Sequence, residues 1–357
     1  MDVAEKQAWV ALFSAEGLDR TVAKRALYRH TLAEGALLSA CEPEALGTLM
    51  PELDAAQRKC WAAALGQQAS MHQRTAAWAR EGIEVLLRSD PLYPENLVRR
   101  ESEAWLPYLL FYRGNLELLE QPGVYVTGSG SPTAPALDFL SDLAGQVATL
   151  ELVSLGMYAQ GVDREFSRAA TQRQGPTALM LPLGLGHAGA IHREGLPALQ
   201  QSQRLELSPV MPEVAHSPAL LRACRRLLTG LAEVLVVVED ERPEDWPGLP
   251  EMVRDGGLVL VYAGQSASAA AWAAQGATLV SDASTAAQRM AEHASLHEDA
   301  DTETPPEAES DREDATPIQF ESADSAIARL SQTGRVPPAL ARRLREAENS
   351  GTLGQKD

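Results

Sequence analysis

The stretch Gly123-Val-Tyr-Val-Thr-Gly-Ser-Gly-Ser-Pro-Thr133 decides the predicted fold of this chain. Its first half has the composition of a buried strand, and its second half is a glycine-rich turn ending at a possible helix cap, Thr133. Apolar residues at three- and four-residue spacing from Leu137 to Val147 predict the helix. Free N–H groups and the helix dipole make such a junction an anion site. The alternative is a turn that needs glycine only for its dihedral angles.

Strand-like and helical patterns alternate along the chain beyond this stretch. The helical patterns cover 163–174, 218–231, 266–275 and 283–296, and they separate most of the strand-like runs. Those runs are 124–127, 152–155, 177–181, 204–207, 234–239, 258–262 and 278–280. This alternation predicts βαβ units and a Rossmann-like α/β domain with a parallel sheet, which we assign to residues 93–294. Ligands of such sheets bind at the carboxyl ends of the strands.

The predicted sheet domain is flanked on both sides by other segments. Short apolar patterns broken by glycines predict an N-terminal helical bundle over residues 1–88, of the sterile-alpha-motif or helix-hairpin-helix type. Residues 295–316 hold nine acidic residues and one basic residue, and the composition of 295–320 predicts an acidic disordered linker. Apolar residues recur from Ile327 to Leu344, so a small C-terminal helical unit is expected over residues 321–357.

Composition and charge narrow the functional classes. The formal net charge of −18 argues against a generic nucleic-acid coat, although whole-chain charge does not decide what a local patch binds. Three widely spaced cysteines give no disulfide framework and no zinc pair. No apolar run approaches the roughly 20 residues that span a bilayer, and residues 1–6 lack a signal-peptide pattern. We therefore expect a cytoplasmic protein with no membrane contact, metal or other cofactor.

The glycine turn does not match the common nucleotide-binding or hydrolase motifs. It lacks the Gly-Lys-Ser/Thr of a Walker loop and the third glycine of a dinucleotide fingerprint. The chain also has no Gly-x-Ser-x-Gly nucleophile elbow, and its seven histidines show no metal-ligand spacing on one helix face. The residues therefore predict no catalytic site.

Three groups of residues are candidates for binding. They are the turn residues Gly128, Ser129, Gly130, Ser131 and Thr133, then Gly161, Asp163 and Arg164, and finally the arginines Arg222, Arg225 and Arg226. The first two groups follow consecutive strands, so they should meet at the same edge of the sheet. The alternatives are a helix N-cap for Asp163 and a solvated basic face for the three arginines.

Motifs in a fixed order resemble the DNA-processing protein A (DprA/Smf) family. They are Val-Thr-Gly-Ser-Gly130, Tyr-Ala-Gln-Gly-Val-Asp163, Gly-Pro-Thr177, Gly184-Leu185, Arg-Arg-Leu-Leu-Thr-Gly-Leu-Ala232, Val-Leu-Val-Val-Val-Glu239 and Gly276-Ala277. The resemblance covers about residues 90–290, and the flanking helical units also fit that family's layout. Gly130 stands where the family has arginine, Arg225 stands at its asparagine, and Cys224 stands at its first arginine. The chain is therefore similar to a divergent member.

The resemblance implies a homodimeric, non-enzymatic protein that binds single-stranded DNA. Such a protein would protect incoming DNA in natural transformation and load a RecA-type recombinase on it, with the three groups of residues forming the DNA site. Two alternatives stay open. One is a scaffold of the same fold that has lost DNA binding. The other is a nucleotide phosphoribohydrolase of the lysine-decarboxylase-like (LOG) group, which Pro182-Leu-Gly-Leu-Gly186 weakly resembles.

Overall fold

The computed structural model describes residues 3–15, 54–102, 105–189, 203–239, 246–262 and 269–302. Strands in these ranges form one sheet. They are β1 (Glu84–Leu87), β2 (Leu109–Gly114), β3 (Gly123–Gly128), β4 (Val153–Gly156), β5 (Thr177–Met180), β6 (Arg204–Ser208), β7 (Val234–Val238), β8 (Leu258–Tyr262) and β9 (Thr278–Leu279). Their order across the sheet is β1-β2-β6-β5-β4-β3-β7-β8-β9.

The sheet is parallel from β6 to β9, and β2 pairs antiparallel with both β1 and β6. After β3 the chain adds β4, β5 and β6 on one side, and it then returns to add β7, β8 and β9 on the other. This reversal places a crevice at the carboxyl ends of β3 and its neighbours. The predicted Rossmann-like fold class is confirmed, with two antiparallel strands added at one edge.

Helices cover both faces of the sheet. The α-helices in the described ranges are α1 (Val3–Ser14), α2 (Ala55–Leu65), α3 (Gln68–Arg80), α4 (Glu95–Arg100), α5 (Ala134–Thr149), α6 (Val162–Gln172), α7 (Pro218–Leu231), α8 (Leu249–Arg254), α9 (Ala269–Ala274) and α10 (Ala283–Thr302). Two 3₁₀ helices are added at Leu116–Glu120 and Leu185–His187. None of the helices in this part of the chain is both long and apolar enough to cross a bilayer.

Alternate residues of β3 point to opposite faces and enter two different cores. Val124 and Val126 pack with α5, α6 and α10, whereas Tyr125 packs with α4, α7, α8 and α9. Each connecting helix that precedes a parallel strand runs back across the sheet. The N-terminal half of α7 therefore lies at the carboxyl edge, near the end of β3.

The N-terminal helices α1, α2 and α3 pack directly on the sheet. Trp9, Trp61 and Trp78 share a core with Phe111 of β2, and the rings of Trp78 and Phe111 meet edge to face at 5.5 Å. Aromatic burial of this size stabilises the docking of these helices. The rest of the predicted N-terminal bundle, residues 16–53, lies outside the described residues.

Two predicted boundaries are wrong. Residues 84–87, within the predicted helical bundle, form β1. Val85 and Leu87 enter one core and Leu86 enters the other, so no helical or alternating pattern marks the strand. Residues 295–302, the predicted start of the linker, continue α10. No proline or glycine interrupts the chain from Ala283 until Pro305, so a helix anchored by packing can extend. The remainder of the linker and the C-terminal unit lie outside the described residues.

Candidate functional site

The glycine turn begins at Gly128, the last residue of β3, which packs against the backbone of β7. Gly128 has φ +150°, and a Cβ at this position would lie 1.9 Å from the carbonyl oxygen of Val238. The Ser129 N–H donates to the same oxygen at 3.0 Å. Only glycine fits here, because any side chain would collide with the backbone of the neighbouring strand.

Gly161 brings the second predicted group against the turn. The Val162 N–H donates to the carbonyl oxygen of Ser129 at 3.0 Å. Gly161 has φ +92°, and a Cβ on it would lie 2.2 Å from that oxygen. The start of α6 therefore touches the turn, and the two groups meet at one edge of the sheet as the strand order predicted.

Several donors at the N-terminus of α5 are already used or missing. Thr133 is the predicted N-cap, and its Oγ1 accepts the Ala136 N–H at 3.4 Å. The Ser131 N–H donates to Ser129 Oγ at 3.1 Å. Residues 132 and 135 are prolines without N–H groups. Within the described residues, the N–H groups of Gly130 and Ala134 have no hydrogen-bond partner. These two are the free backbone donors of the turn.

A carboxylate already lies at this helix terminus. Glu239 follows β7, and its Oε2 accepts the Thr133 N–H at 2.8 Å while its Oε1 accepts the Thr133 hydroxyl. Its backbone has φ +45°, in the left-handed region that side chains disfavour. Sequence reasoning noticed Glu239 only as the end of a family-like strand, because no local pattern shows which residue it will contact 106 positions away.

Asp163 holds the loop that precedes α6. Its side chain is buried, and both carboxylate oxygens accept the Met157 N–H, at 3.0 and 3.1 Å. The Tyr158 and Ala159 backbone also donate to it. Burial raises its pKa to about 7, against these hydrogen bonds and the charge of Arg225, which all favour the ionised form. Gly161, and not Asp163, is the N-cap residue of α6. Because Asp163 is buried, it supports the edge of the crevice from inside and presents no surface for DNA.

Arg225 is half-buried and packs against two aromatic side chains. Its guanidinium carbon lies 4.9 Å from the ring centroid of Trp246. It also lies beside the hydroxyl of buried Tyr125, whose pKa is raised mainly by burial and next by the charge of Asp163. Arg225 thus compensates Asp163 beneath the crevice. Trp246 was absent from the predicted site, and it is held by a bond from its Nε1 to Thr229 Oγ1 at 3.0 Å.

Arg226 is neutralised by two carboxylates. Its Nε donates to Glu101 Oε2 at 2.7 Å, and its Nη2 donates to Glu251 Oε1 at 3.2 Å. The ring of Trp105 covers the guanidinium, with 5.1 Å between its centroid and the guanidinium carbon. Burial raises the pKa of Glu101, although its bond to Arg226 opposes the rise. This arginine serves an ion-pair network, so its charge is not available to a phosphate without breaking that network.

Arg222 and Arg164 differ from the other two arginines. Arg222 is exposed on the N-terminal half of α7, and it forms no ion pair with any residue of the described ranges. Arg164 is half-buried, with its guanidinium carbon 5.4 Å from the ring centroid of Tyr158. Tyr158 and Phe166 themselves are 4% and 0% exposed, so neither ring is open to stacking by a base.

A Gly-x-Gly-x-x-Gly pattern at 184–189, which the sequence analysis missed, is not a phosphate cradle. The Gly184 N–H donates to the carbonyl oxygen of Val214 at 2.7 Å, and the Gly186 N–H donates to that of Pro212 at 3.0 Å. These N–H groups are therefore used within the protein. The described residues also hold no cluster of His, Cys, Asp or Glu that could bind a metal.

A groove of about 550 Å³ opens at the opposite edge of the sheet. It is lined by Pro122, Leu152 and Glu233, each of which directly precedes a parallel strand, and by Asn96 and Arg99 of α4. The groove therefore lies at the amino edge, away from the glycine turn and from Arg222. It forms no part of the candidate site.

Comparison with known proteins identifies the family. The model of the family described as DNA recombination-mediator protein A matches residues 84–302, which include the whole sheet, the turn and the α7 arginines. The chain belongs to this family.

Individual DNA processing proteins are also similar to this chain. The DNA processing protein DprA of Streptococcus pneumoniae is 30% identical over 151 residues, which are 42% of this chain and 52% of that protein. The chain thus matches about half the length of this curated relative. The X-ray structure of S. pneumoniae DprA has a TM-score of 0.56 at 21% identity, covering 78% of this chain and 95% of that one.

DNA processing protein A from Helicobacter pylori, solved in a study of its single-stranded DNA binding mode, matches with a TM-score of 0.48 at 18% identity. It covers 59% of this chain and 96% of that chain.

Proposed function

We propose that this protein binds single-stranded DNA at the carboxyl edge of its sheet and acts as a recombination mediator in natural transformation. Its membership of the DNA recombination-mediator protein A family is the observation that carries the proposal. The geometry supports it, since a turn with two free N–H groups faces the crevice at the switch point. Sequence-independent binding is expected, because single strands are held mainly by phosphate contacts and base stacking.

The proposed phosphate site would contain a single positively charged side chain, together with backbone and hydroxyl donors. Gly130 and Ala134 would donate their N–H groups, and the exposed side chains of Ser131 and Arg222 would complete the contact. Gly128, Gly161 and Asp163 would shape this edge without touching DNA, and Arg225 would neutralise Asp163 from below. Affinity at physiological salt should be modest, and its salt dependence shallow, because each phosphate contact adds about 0.7 to the slope for single strands.

The test is a titration of labelled oligothymidine with the full chain across a salt series. Arg222→Ala should weaken binding to different sequences by a similar factor and reduce the slope by about 0.7, since a phosphate contact reads no base. Arg254→Ala is the matched control, because Arg254 is an exposed arginine at the end of α8, next to the amino edge. Equal losses in the two variants would remove Arg222 from the site.

A second candidate is a scaffold of the same fold without DNA binding. Two observations favour it: Glu239 places a carboxylate at the turn, and the whole chain carries −18. Absence of binding by the wild type at low salt would select this candidate. The phosphoribohydrolase alternative has no such support, since Gly184 and Gly186 use their N–H groups internally.

Loading of a RecA-type recombinase and assembly as a homodimer belong to the same proposal. Both come from the family resemblance, and neither depends on a residue of the turn. Light scattering of the full chain measures the oligomeric state. A strand-exchange assay with a RecA-type recombinase, run on DNA that a single-strand-binding protein already coats, measures loading.

A further inference from the structure

The carboxylate of Glu239 lies where an anionic ligand of the turn would lie. It accepts two hydrogen bonds from one residue, the N–H and the hydroxyl of Thr133. Thr133 is the N-cap of α5, so the carboxylate also lies at the positive end of a helix of 16 residues. A phosphate oxygen at the same position would accept the same hydrogen bonds and would be stabilised by the same helix dipole.

The backbone at Glu239 is arranged for this contact. Its N–H donates to the carbonyl oxygen of Tyr262 at 2.9 Å, which fixes the residue at the ends of β7 and β8. Its φ of +45° is a strained value for a residue with a side chain. Strain of this kind persists where surrounding structure imposes it, and in this conformation the side chain reaches Thr133.

The contact divides the donors of the turn into two sets. While the carboxylate is bound, Gly130 and Ala134 offer free N–H groups within the described part of the chain. If the carboxylate leaves, the N–H and hydroxyl of Thr133 join them. Both partners are accessible to solvent, since Thr133 is exposed and Glu239 is half-buried. Exchange of one anion for another therefore requires no opening of the core.

We infer that Glu239 is an internal competitor that sets the affinity of the turn, and that a DNA phosphate displaces its carboxylate. The inference rests on the proposed function, because it takes the turn as the DNA site. The carboxylate carries the same charge as a phosphodiester, so both cannot occupy the Thr133 donors together. The affinity for DNA stays low until the DNA strand makes enough phosphate contacts to replace the hydrogen bonds between Glu239 and Thr133.

Glu239→Gln tests this competition. The amide keeps the size of the side chain but removes the charge and the second charge-assisted acceptor. Binding of labelled oligothymidine at low salt should become about tenfold tighter, a change equivalent to about 1.4 kcal/mol. Glu117→Gln is the control, since Glu117 is an exposed carboxylate in the 3₁₀ helix before β3, at the amino edge, and its loss changes net charge equally.

Glu239→Gly provides a second, independent variant. Glycine suits a φ of +45° and removes the carboxylate, so this protein should fold and should also bind more tightly than wild type. Wild-type affinity in both Glu239 variants would overturn the inference and leave the proposed function standing. A fall in thermal stability without tighter binding would assign Glu239 to helix capping alone and also overturn it. Absence of binding by every protein, wild type included, would overturn the proposed function itself.

Discussion

Asp163→Asn should change how stability depends on pH. In the wild type, the buried carboxyl group of Asp163 has a pKa of about 7, mainly because burial penalises its charged form. In the unfolded chain the same group titrates near 3.9. The folded protein therefore binds one more proton than the unfolded protein between these two values.

The sign and size follow from proton linkage. A raised folded pKa stabilises the folded state fully below the unfolded value, and this stabilisation is lost as pH rises through about 7. Each pH unit between the two values changes the free energy of unfolding by about 1.4 kcal/mol. Allowing for partial titration near pH 7, Asp163 alone should lower the free energy of unfolding by about 2 kcal/mol from pH 5 to pH 7.

Urea denaturation of both proteins at half-unit steps from pH 5 to pH 8 measures this effect. The informative quantity is the wild-type free energy of unfolding minus that of Asp163→Asn, since other titrating groups contribute equally to both. This difference should fall by about 2 kcal/mol between pH 5 and pH 7. Asp142→Asn is the matched control, because Asp142 is an exposed carboxylate on α5.

Parallel pH profiles for the wild type and Asp163→Asn would refute the reasoning. They would mean that the N–H groups of Met157, Tyr158 and Ala159, with the charge of Arg225, offset the penalty of burial completely. The test depends only on how the difference between the two profiles changes with pH, and not on its absolute size. The amide nitrogen of asparagine cannot accept an N–H, so the variant is expected to be less stable at every pH.

Two further changes test the cations around the crevice. Gly130→Arg restores the side chain of the resembled family at a position with no atom within 4 Å of a Cβ. It should tighten binding of single strands and steepen the salt slope by about 0.7 per added phosphate contact. Ala63→Arg, at an exposed position of α2, should do neither. Arg226→Met should lower the free energy of unfolding by about 3–5 kcal/mol, because it leaves the buried carboxylate of Glu101 without its cation. Adding Glu101→Gln should recover part of that loss in urea denaturation, and purely additive losses would contradict the pairing.

The parallel strands from β3 to β9 were predictable because their sequence signals are local and complete. The run of apolar residues at Val234–Val238 is buried on both faces, as expected for a central parallel strand. The meeting of Gly161 with the glycine turn was also predictable, since consecutive parallel strands end at one edge. β1 was not predicted as a strand. Like β7 it is buried on both faces and so shows no alternation of polar and apolar residues, and its four residues are too few to distinguish a strand from a helix.

The roles of the arginines could not be read from the sequence. Arg222, Arg225 and Arg226 lie on one helix, but Arg225 faces Tyr125 and Trp246, while Arg226 faces Glu101. Helical periodicity places residues 225 and 226 on either side of residue 222, about 100° apart around the helix axis. It does not show that a carboxylate 125 positions earlier in the chain lies beside 226. Long-range charge pairing therefore decided which arginine stays available.

Three features of this edge act in the same direction. Gly130 supplies no cation, the charge of Arg226 is taken by Glu101 and Glu251, and the carboxylate of Glu239 holds the Thr133 donors. Each one lowers the attraction of the turn for a single phosphate, yet none disturbs the backbone geometry that Gly128 and Gly161 impose. The turn is thus preserved as a shape while its charge is reduced. A single phosphate would bind such a site weakly. A DNA strand that makes several weak contacts, or that reaches two linked sites, would bind more tightly, because the first contact raises the effective concentration for the next.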